Sequence, residues 1–267
     1  MLQSCNLSYA AGKVPLVQNA SLEVAPGEVL VIAGANGAGK STLLKMLCGM
    51  LRPAGGSTHI YGQKLQQWKP QQMACFSAVL HQQTVLTLPF KVREVVMMGR
   101  YPHYKKTPHN LDETIVTNAL LKTGIEELAN RNYLELSGGE QQRVHLARVF
   151  AQIWYTAHYN TRYLFMDEPS NNLDISHQHR MLTMAREFAL EGNCVVVVLH
   201  DLNLAMQYAH KMLLLKKGKV IAGGTLAKVM TEKNLSEAYD FPIHLLNHAG
   251  YEYPIVIPAI QPLSLTA

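Results

Sequence analysis

The sequence has no hydrophobic run long enough to cross a membrane. Its longest apolar stretches, such as CVVVVL at 194–199, fall far short of the roughly 20 residues that a spanning helix needs. Such short runs are typical of buried parallel strands. The N-terminal stretch also lacks a charged segment followed by an apolar core, so we expect no signal peptide. If the protein acts at a membrane, we expect other chains to span it.

Cysteine and charge are also scarce. The four cysteines are far apart and form no C-x-x-C pair, which argues against a disulfide framework or a zinc site and favours a reducing cytosol. Charged residues make up 16% of the chain and hydrophobic residues 48%, as in a globular protein with a substantial core. The net charge of +5 comes from small basic groups and not from a dense stripe. We therefore expect no nucleic-acid partner, and a basic face near anionic lipid would explain the charge equally well.

What the sequence does contain is a phosphate loop, GANGAGKST at 34–42, which fits G-x-x-x-x-G-K-(S or T). The apolar run GEVLVIAG predicts a strand before it, and KSTLLKMLCGML predicts a helix after it. Glycines would let backbone N–H groups approach a phosphate without Cβ obstruction, Lys40 would supply charge, and the Ser41 hydroxyl would bind Mg²⁺. A chance glycine turn would not need the lysine and the hydroxyl. The predicted nucleotide-binding residues here are Gly34, Asn36, Gly37, Ala38, Gly39, Lys40, Ser41 and Thr42.

A pair of acids follows another apolar strand in YLFMDEP, residues 163–169. Asp167 is predicted to hold Mg²⁺ directly or through water, and Glu168 to polarise an attacking water as a general base. A solvated acidic turn is the alternative, but a phosphate loop in the same chain favours the catalytic interpretation. Strands alternating with helices predict an α/β fold with a mainly parallel sheet, preceded by an antiparallel β part.

The middle of the chain, about 84–145, is predicted to be a mainly helical insertion. In NLDETIVTNALLKTG, Asn110 and Glu113 form a capping-box pattern, and Gly124 stands where the helix would stop. A later helix is predicted to end at Gly192. Its buried face would be formed by Met181, Met184, Ala185 and Phe188. The C-terminal stretch DFPIHLLNHAGYEYPIVIP predicts a short β element with a glycine turn.

Histidine is frequent, with 12 residues, and would suit a metal or haem site. His177 and His179 lie two residues apart, so on a helix their rings would face different directions. We therefore expect surface histidines and no metal site at six positions: His103, His109, His145, His158, His177 and His179.

The segment LSGGEQQR at 136–143 resembles the signature motif of ABC transporter ATPases, and its order relative to the phosphate loop and MDEP is the order of that family. The resemblance extends over nearly the whole chain. It implies one ABC ATPase domain over 1–267 with a P-loop NTPase core at 1–83 and 146–267. The helical subdomain at 84–145 would carry the signature.

The resemblance also assigns roles to single residues. Gln82 in VLHQQ matches the Q-loop glutamine, which bridges Mg²⁺ and the transporter contact, with Gln83 as the competing assignment. His200 matches a histidine that contacts the γ-phosphate, and the alternative is an ordinary polar strand end. Tyr9 stands where the family stacks a ring on adenine, and the alternative is an ordinary strand tyrosine.

The signature implies an arrangement of two chains. In the family, each signature closes over ATP held by the other subunit of a head-to-tail dimer, so two ATP molecules are sandwiched. Ser137, Gly138, Gly139 and Glu140 would bind that ATP. Asp174 ends the matching D-loop segment SNNLD, in which Asn172 replaces the small residue of many members.

The stretch VREVVMMGRYPH resembles the importer branch for iron-siderophores, haem and cobalamin. VHLARVFAQIW followed by RYLFMDEP is most similar to the haem importers. The resemblance implies an ATPase that uses ATP and Mg²⁺ and forms a homodimer. This dimer would energise separate permease subunits at the cytoplasmic face of the plasma (inner) membrane. A substrate-binding protein would be an indirect partner, because it delivers cargo to the permease. Import of a ferric siderophore or cobalamin stays open. So do a non-transport ABC protein acting on ribosomes or DNA and a regulatory module such as an iron–sulfur assembly ATPase.

Overall fold

The computed structural model describes residues 1–82, 86–156, 158–169, 173–250 and 252–259. The strands are β1 (Leu2–Ala11), β2 (Val14–Val24), β3 (Val29–Gly34), β4 (Gly55–Ile60), β5 (Gln63–Lys64), β6 (Ser77–Leu80), β7 (Tyr163–Asp167), β8 (Cys194–Val198), β9 (Lys211–Lys216), β10 (Lys219–Thr225), β11 (Ile243–Leu246) and β12 (Ile255–Pro258). The α-helices are α1 (Lys40–Leu47), α2 (Pro70–Phe76), α3 (Val92–Met97), α4 (Asn110–Thr123), α5 (Gly138–Gln152), α6 (Ile175–Leu190), α7 (Leu202–Tyr208), α8 (Leu226–Val229) and α9 (Glu232–Tyr239).

A central sheet with the strand order β10-β9-β3-β8-β7-β6 organises the molecule. Strands β9, β3, β8, β7 and β6 run parallel, and β10 is antiparallel to β9. The predicted mainly parallel α/β sheet is therefore confirmed. Strands β3, β7 and β8 are buried along their whole length, which explains their continuous apolar sequences.

Alternate residues of these strands point into two different cores. Along β3, Val31 and Ala33 join a cluster with α6 and α7, whereas Leu30 and Ile32 join a cluster with α1 and the N-terminal strands. This alternation follows from the two-residue period of a strand. The sheet is therefore covered on both faces, and its polar chemistry is confined to the strand ends.

The N-terminal sheet has the order β2-β1-β4-β5 and is antiparallel throughout, as predicted. The C-terminal strands β11 and β12 pair antiparallel, which confirms the predicted β element. Helix α6 buries the predicted face of methionine, alanine and phenylalanine side chains, and Gly192 follows its end with a φ of 86°.

The helical region between β6 and β7 has a hydrophobic cluster of its own, formed by α3, α4 and one face of α5. Helix α5 packs with its other face on the central sheet: Leu146 and Val149 join the sheet cluster, while Val144 and Ala147 join the helical one. The predicted boundary at residue 145 thus falls inside a continuous helix. No helix in the described ranges has the length and apolar character to span a membrane.

Helix α4 begins one residue earlier than its capping pattern predicted. The amide of His109 donates to Asp112 Oδ2 at 2.8 Å, so the cap pair is His109 and Asp112 and the predicted pair of Asn110 and Glu113 is wrong. The reason is that Asp112 is buried, where it also accepts from Arg100. The predicted stop is confirmed, because Gly124 adopts the left-handed conformation with a φ of 63°.

The expectation of surface histidines is wrong for His145, which is only 3% exposed. Its Nε2 lies 2.8 Å from the hydroxyl of Tyr133, so a hydrogen bond accompanies its burial inside the helical region. His177 and His179 do face different partners, Asp174 and Tyr208 respectively. In the described part of the chain, no three His, Cys, Asp or Glu side chains are grouped as a metal site.

Candidate nucleotide site

Four candidate segments meet at one edge of the central sheet. The phosphate loop follows β3, Gln82 follows β6, Glu168 follows β7 and His200 follows β8. These four strands are neighbours and parallel, so their carboxyl ends lie along the same edge. Ligands of open α/β sheets bind in the crevice at such an edge. The topology therefore brings together segments that are up to 166 residues apart in sequence, from Gly34 to His200.

Lys40 lies at the start of α1 and is only 4% exposed. Its Nζ donates to the carbonyl oxygens of Gly34 and Ala35, both at 3.0 Å, which folds the loop around the ammonium group. Burial lowers the pKa of Lys40 from its ordinary value, and the nearby carboxylates of Glu168 and Asp167 oppose that shift. The loop residues Asn36 and Gly37 are exposed. The lysine charge is thus held beneath an open loop.

Two glycines of the loop are also required by close contacts with the chain's own backbone, and their predicted approach to a phosphate stays a prediction. A Cβ on Gly34 would lie 2.2 Å from the carbonyl oxygen of Leu215, and one on Gly39 would lie 2.2 Å from that of Leu16. Both positions are required by the chain's own backbone, with φ values of 145° and 100°. Only Gly37, with a φ of 75°, would place its Cβ in open space.

Ser41 and Asp167 form a direct contact at the sheet edge. The Ser41 hydroxyl donates to Asp167 Oδ1 at 2.8 Å, and Asp167 is 7% exposed at the end of β7. A hydroxyl and a carboxylate are oxygen ligands of the kind that Mg²⁺ prefers. The two residues are therefore chemically suited to one magnesium ion.

Glu168 has a donor at each carboxylate oxygen. Gln82 Nε2 donates to Oε2 at 2.8 Å, and His200 Nε2 lies 2.5 Å from Oε1. The backbone of Glu168 has a φ of 47°, a left-handed conformation that is uncommon for a residue with a Cβ. Such strain often accompanies functional positions, and here it turns the carboxylate of Glu168 toward two loops from neighbouring strands. Gln83, the competing assignment, lies outside the described residues.

The signature segment, residues 136–143, forms the N-terminus of α5. Ser137 is the N-cap, and both its amide and its hydroxyl donate to Glu140 Oε2, at 2.8 and 2.7 Å. These bonds lower the pKa of Glu140. Gly138 has open space around its Cα, and Gly139 lies near Leu173. Ser137 and Gly138 are exposed, so the end of α5 is accessible for a contact with another molecule.

Asp174 is the N-cap of α6 and contacts His177, a residue to which the sequence analysis gave no role at the site. The amide of His177 donates to Asp174 Oδ1 at 2.8 Å, which lowers the pKa of Asp174, and the His177 ring lies at 2.8 Å from both carboxylate oxygens. On its other side the His177 ring contacts Arg143 of the signature segment. The i to i+3 spacing signals a helix cap. Nothing in the spacing indicates the contact with Arg143.

Tyr9 lies on β1 opposite Val17 and is partly buried. It packs against the same hydrophobic cluster as Ala38 of the phosphate loop. This position is close to the loop through a shared core, as an adenine-stacking ring requires. An ordinary strand tyrosine would pack in the same way, so its role stays a prediction.

Comparison with known proteins identifies the family. The family model described as ABC transporter matches residues 17–171, more than half of the chain. This chain belongs to the ABC transporter family. It is similar to the hemin import ATP-binding protein HmuV of Gloeobacter violaceus, with 48% identity over 77% of this chain and 74% of the relative. The HmuV protein of Methylobacillus flagellatus is 38% identical over 99% of this chain and 98% of its own length.

Solved structures agree with the ABC fold. A structure described as an inward-facing metal-chelate type ABC transporter aligns with a TM-score of 0.82 and 26% identity, covering 97% of both chains. An ATP-binding cassette solved as a dimer with ADP and Pi aligns with a TM-score of 0.72 and 24% identity, over 85% of this chain and 99% of that one. The protein is thus an ATP-binding ATPase of the ABC type with the P-loop fold.

Proposed function

We propose that this chain hydrolyses ATP to energise the import of haem through a separate membrane permease. The observation that carries this proposal is the arrangement at the carboxyl ends of β3, β6, β7 and β8, where Lys40, the Ser41–Asp167 pair and the doubly contacted Glu168 lie along one edge. The haem cargo is supported by the hemin import proteins to which the chain is similar over up to 99% of its length.

In this mechanism Lys40 neutralises the β- and γ-phosphates. Its two bonds to loop carbonyls hold the ammonium group at the loop, where the phosphates would bind. The amides of residues 34–42 provide further donors to the phosphates, and the dipole of α1 adds partial positive charge. Tyr9 stacks on the adenine ring.

Ser41, Asp167 and Gln82 would hold Mg²⁺. When bound, this ion neutralises charge on the β- and γ-phosphate oxygens. The contact between Ser41 Oγ and Asp167 Oδ1 at 2.8 Å supports the assignment, because the two oxygens lie close enough to bind the same ion. Gln82 donates to Glu168 through its amide nitrogen, which leaves its amide oxygen able to face a cation.

Glu168 accepts a proton from the attacking water, and His200 contacts the γ-phosphate. The contacts with Gln82 and His200 fix the two carboxylate oxygens of Glu168 in direction. Release of one of these donors toward nucleotide would free a carboxylate oxygen for the water. The closed state therefore requires rearrangement of these contacts.

The second half of each site comes from a second copy of the chain. Ser137, Gly138, Gly139, Glu140 and Asp174 of one subunit meet ATP held by the other, and two ATP molecules are enclosed. The exposed end of α5 supports this arrangement, as does the dimeric cassette with the same fold. Closure is favoured by ATP and reversed when hydrolysis removes the γ-phosphate contact.

A mixed dimer tests the shared site. A Lys40→Ala subunit paired with a Ser137→Arg subunit retains one complete site, whereas a dimer of either variant alone retains none. We expect the mixture to hold one nucleotide per closed dimer and to recover activity that each variant lacks. Failure of the mixture to recover any activity would contradict the two-chain site.

The helical region at 84–145 is proposed to dock on permease subunits at the cytoplasmic face of the plasma membrane. The cargo is tested with the permease and this subunit reconstituted together in liposomes. ATP hydrolysis is compared for haemin, a ferric siderophore and cobalamin, each delivered by its binding protein, with Glu168→Gln as the inactive control. We expect haemin alone to stimulate hydrolysis and to enter the liposomes. Stimulation by another cargo would overturn the haem assignment, and recovery of ribosomes or DNA instead of a permease from native membranes would overturn transport.

A further inference from the structure

The two segments proposed to face a partner subunit are joined within one chain by a side-chain network. Arg143 on α5 contacts Nε2 of His177 on α6, and Nδ1 of the same ring lies 2.8 Å from both carboxylate oxygens of Asp174. We call this set of three residues the Arg143–His177–Asp174 network. It connects the first turns of α5, whose N-cap is Ser137, to the N-cap of α6.

The chemistry of the partners fixes the state of the imidazole. A guanidinium group can only donate hydrogen bonds, so Nε2 of His177 must accept from Arg143. The proton of the neutral ring then lies on Nδ1, where it donates to Asp174. One ring thus uses both nitrogens, one toward each neighbouring segment.

Arg143 and its neighbour Gln142 both make polar contacts beyond their own helix. Arg143 Nε is buried and has no hydrogen-bond partner in the described part of the chain, while Nη1 of the same guanidinium contacts His177. A neighbouring bond from Gln142 Nε2 to the carbonyl of Pro169, at 3.3 Å, ties the same turn of α5 to the residue after Glu168.

We propose that His177 is a positioning residue that couples the signature end of α5 to Asp174 through Arg143, so that both segments present themselves together to the partner subunit. This inference rests on the proposed function, because only a second subunit uses Ser137 and Asp174. His177 itself touches no nucleotide in this scheme. Its effect is on closure of the dimer and on turnover, and not on nucleotide binding by the phosphate loop.

Two substitutions each retain half of the network. In His177→Asn the amide can replace Nδ1 and still donate to Asp174, but nothing accepts from Arg143. In His177→Gln the longer side chain can place its oxygen near Nε2 and accept from Arg143, while the donor to Asp174 is lost. His179→Asn is the matched control, because His179 lies on the same helix and contacts Tyr208 instead of α5.

The test measures ATP-driven dimerisation of the full chain in a Glu168→Gln background, with the nucleotide affinity of the monomer measured alongside. We expect each His177 variant to weaken dimerisation by at least roughly tenfold, as for loss of a hydrogen bond to a charged group. Monomer affinity should stay within about twofold and the unfolding midpoint within about 2 °C. The His179→Asn control should match its parent in dimerisation, monomer affinity and unfolding midpoint.

A double-mutant cycle separates positioning from general damage to the fold. If His177 acts through Arg143, then Arg143→Ala combined with His177→Asn should weaken dimerisation no more than Arg143→Ala alone. Unchanged dimerisation in both His177 variants, or fully additive losses in the cycle, would overturn the inference while leaving the dimer intact. If the Glu168→Gln parent binds ATP but forms no dimer, the proposed function fails and the inference fails with it.

Discussion

Nε2 of His200 lies 2.5 Å from Oε1 of Glu168, so two residues that follow neighbouring strands are in direct contact. The other oxygen of Glu168 accepts from Gln82 at 2.8 Å. The carboxylate is therefore oriented by contacts on both sides, and its proposed role as general base requires its charge as well as its shape. A substitution that preserves shape and removes charge is the sharpest test of its role.

Glu168→Gln should abolish ATP hydrolysis while leaving ATP binding intact. The amide is nearly isosteric with the carboxylate but cannot accept a proton from water, so turnover should fall by roughly 100-fold or more, as for loss of a general base. The closed dimer should accumulate because ATP persists. Steady-state hydrolysis and size-exclusion chromatography with ATP measure both effects. Undiminished hydrolysis would show that another residue is the base.

Nucleotide binding should take up protons in alkaline solution because burial lowers the pKa of Lys40 from 10.5. Above the lowered pKa the free lysine is neutral, and phosphate binding favours its charged form, so the lysine must gain a proton. Affinity should therefore decline as the pH rises toward 10.5. Calorimetric titration in buffers of different ionisation enthalpy measures the uptake. Lys40→Ala is the control: it should bind nucleotide weakly and without this uptake.

Much of this site was predictable because its signals are local. The phosphate loop, the acid pair and the apolar strands depend on residues within a few positions of one another, and the parallel sheet then brings their ends together. The contact of Arg143 with His177 was not predictable, because it joins α5 to α6 by packing and no spacing rule relates the two positions.

The errors have physical causes of the same kind. His145 is buried because Tyr133 provides a hydrogen-bond partner through the tertiary fold, and composition alone does not indicate that partner. The close contacts that exclude a Cβ at Gly34 and Gly39 were not predicted either, because they come from Leu215 on β9 and Leu16 on β2, outside the local motif. The local sequence therefore indicates which residues form the site, but it does not indicate the tertiary contacts that surround them.

Glu140→Gln should strengthen ATP-driven dimerisation. Glu140 Oε2 accepts from both the amide and the hydroxyl of Ser137, so a carboxylate occupies donors proposed for the γ-phosphate of a partner. Glutamine can still complete the capping box but carries no charge to repel the phosphate. We expect a dimer dissociation constant lower by roughly threefold to tenfold, with little change in stability. Analytical ultracentrifugation with ATP in the Glu168→Gln background measures it, and a weaker dimer would indicate that the charge of Glu140 assists closure.

The buried ion pair at the start of α4 offers a stability test with an internal control. Arg100 and Asp112 form an ion pair at 2.9 Å with side chains only 3% and 4% exposed, and Arg100 also donates to the carbonyl of Ala151 on α5. Although burial raises the pKa of Asp112, the amide of His109 and the guanidinium of Arg100 lower it below 3.8. Asp112→Asn leaves a buried guanidinium without its counter-charge.

We expect Asp112→Asn to reduce the free energy of unfolding by about 3–5 kcal/mol, as for removal of one partner from a buried ion pair. The control is Glu113→Gln at the neighbouring position. Glu113 also pairs with an arginine, Arg93, but the two side chains are 39% (Arg93) and 46% (Glu113) exposed. That substitution should cost under about 1 kcal/mol, because solvent screens an exposed pair. Urea denaturation of both variants measures the difference. Equal losses of stability in the two variants would mean that burial does not set the strength of the Arg100–Asp112 pair. If the loss is confined to the helical region, amide hydrogen exchange should show lower protection there than in the central sheet.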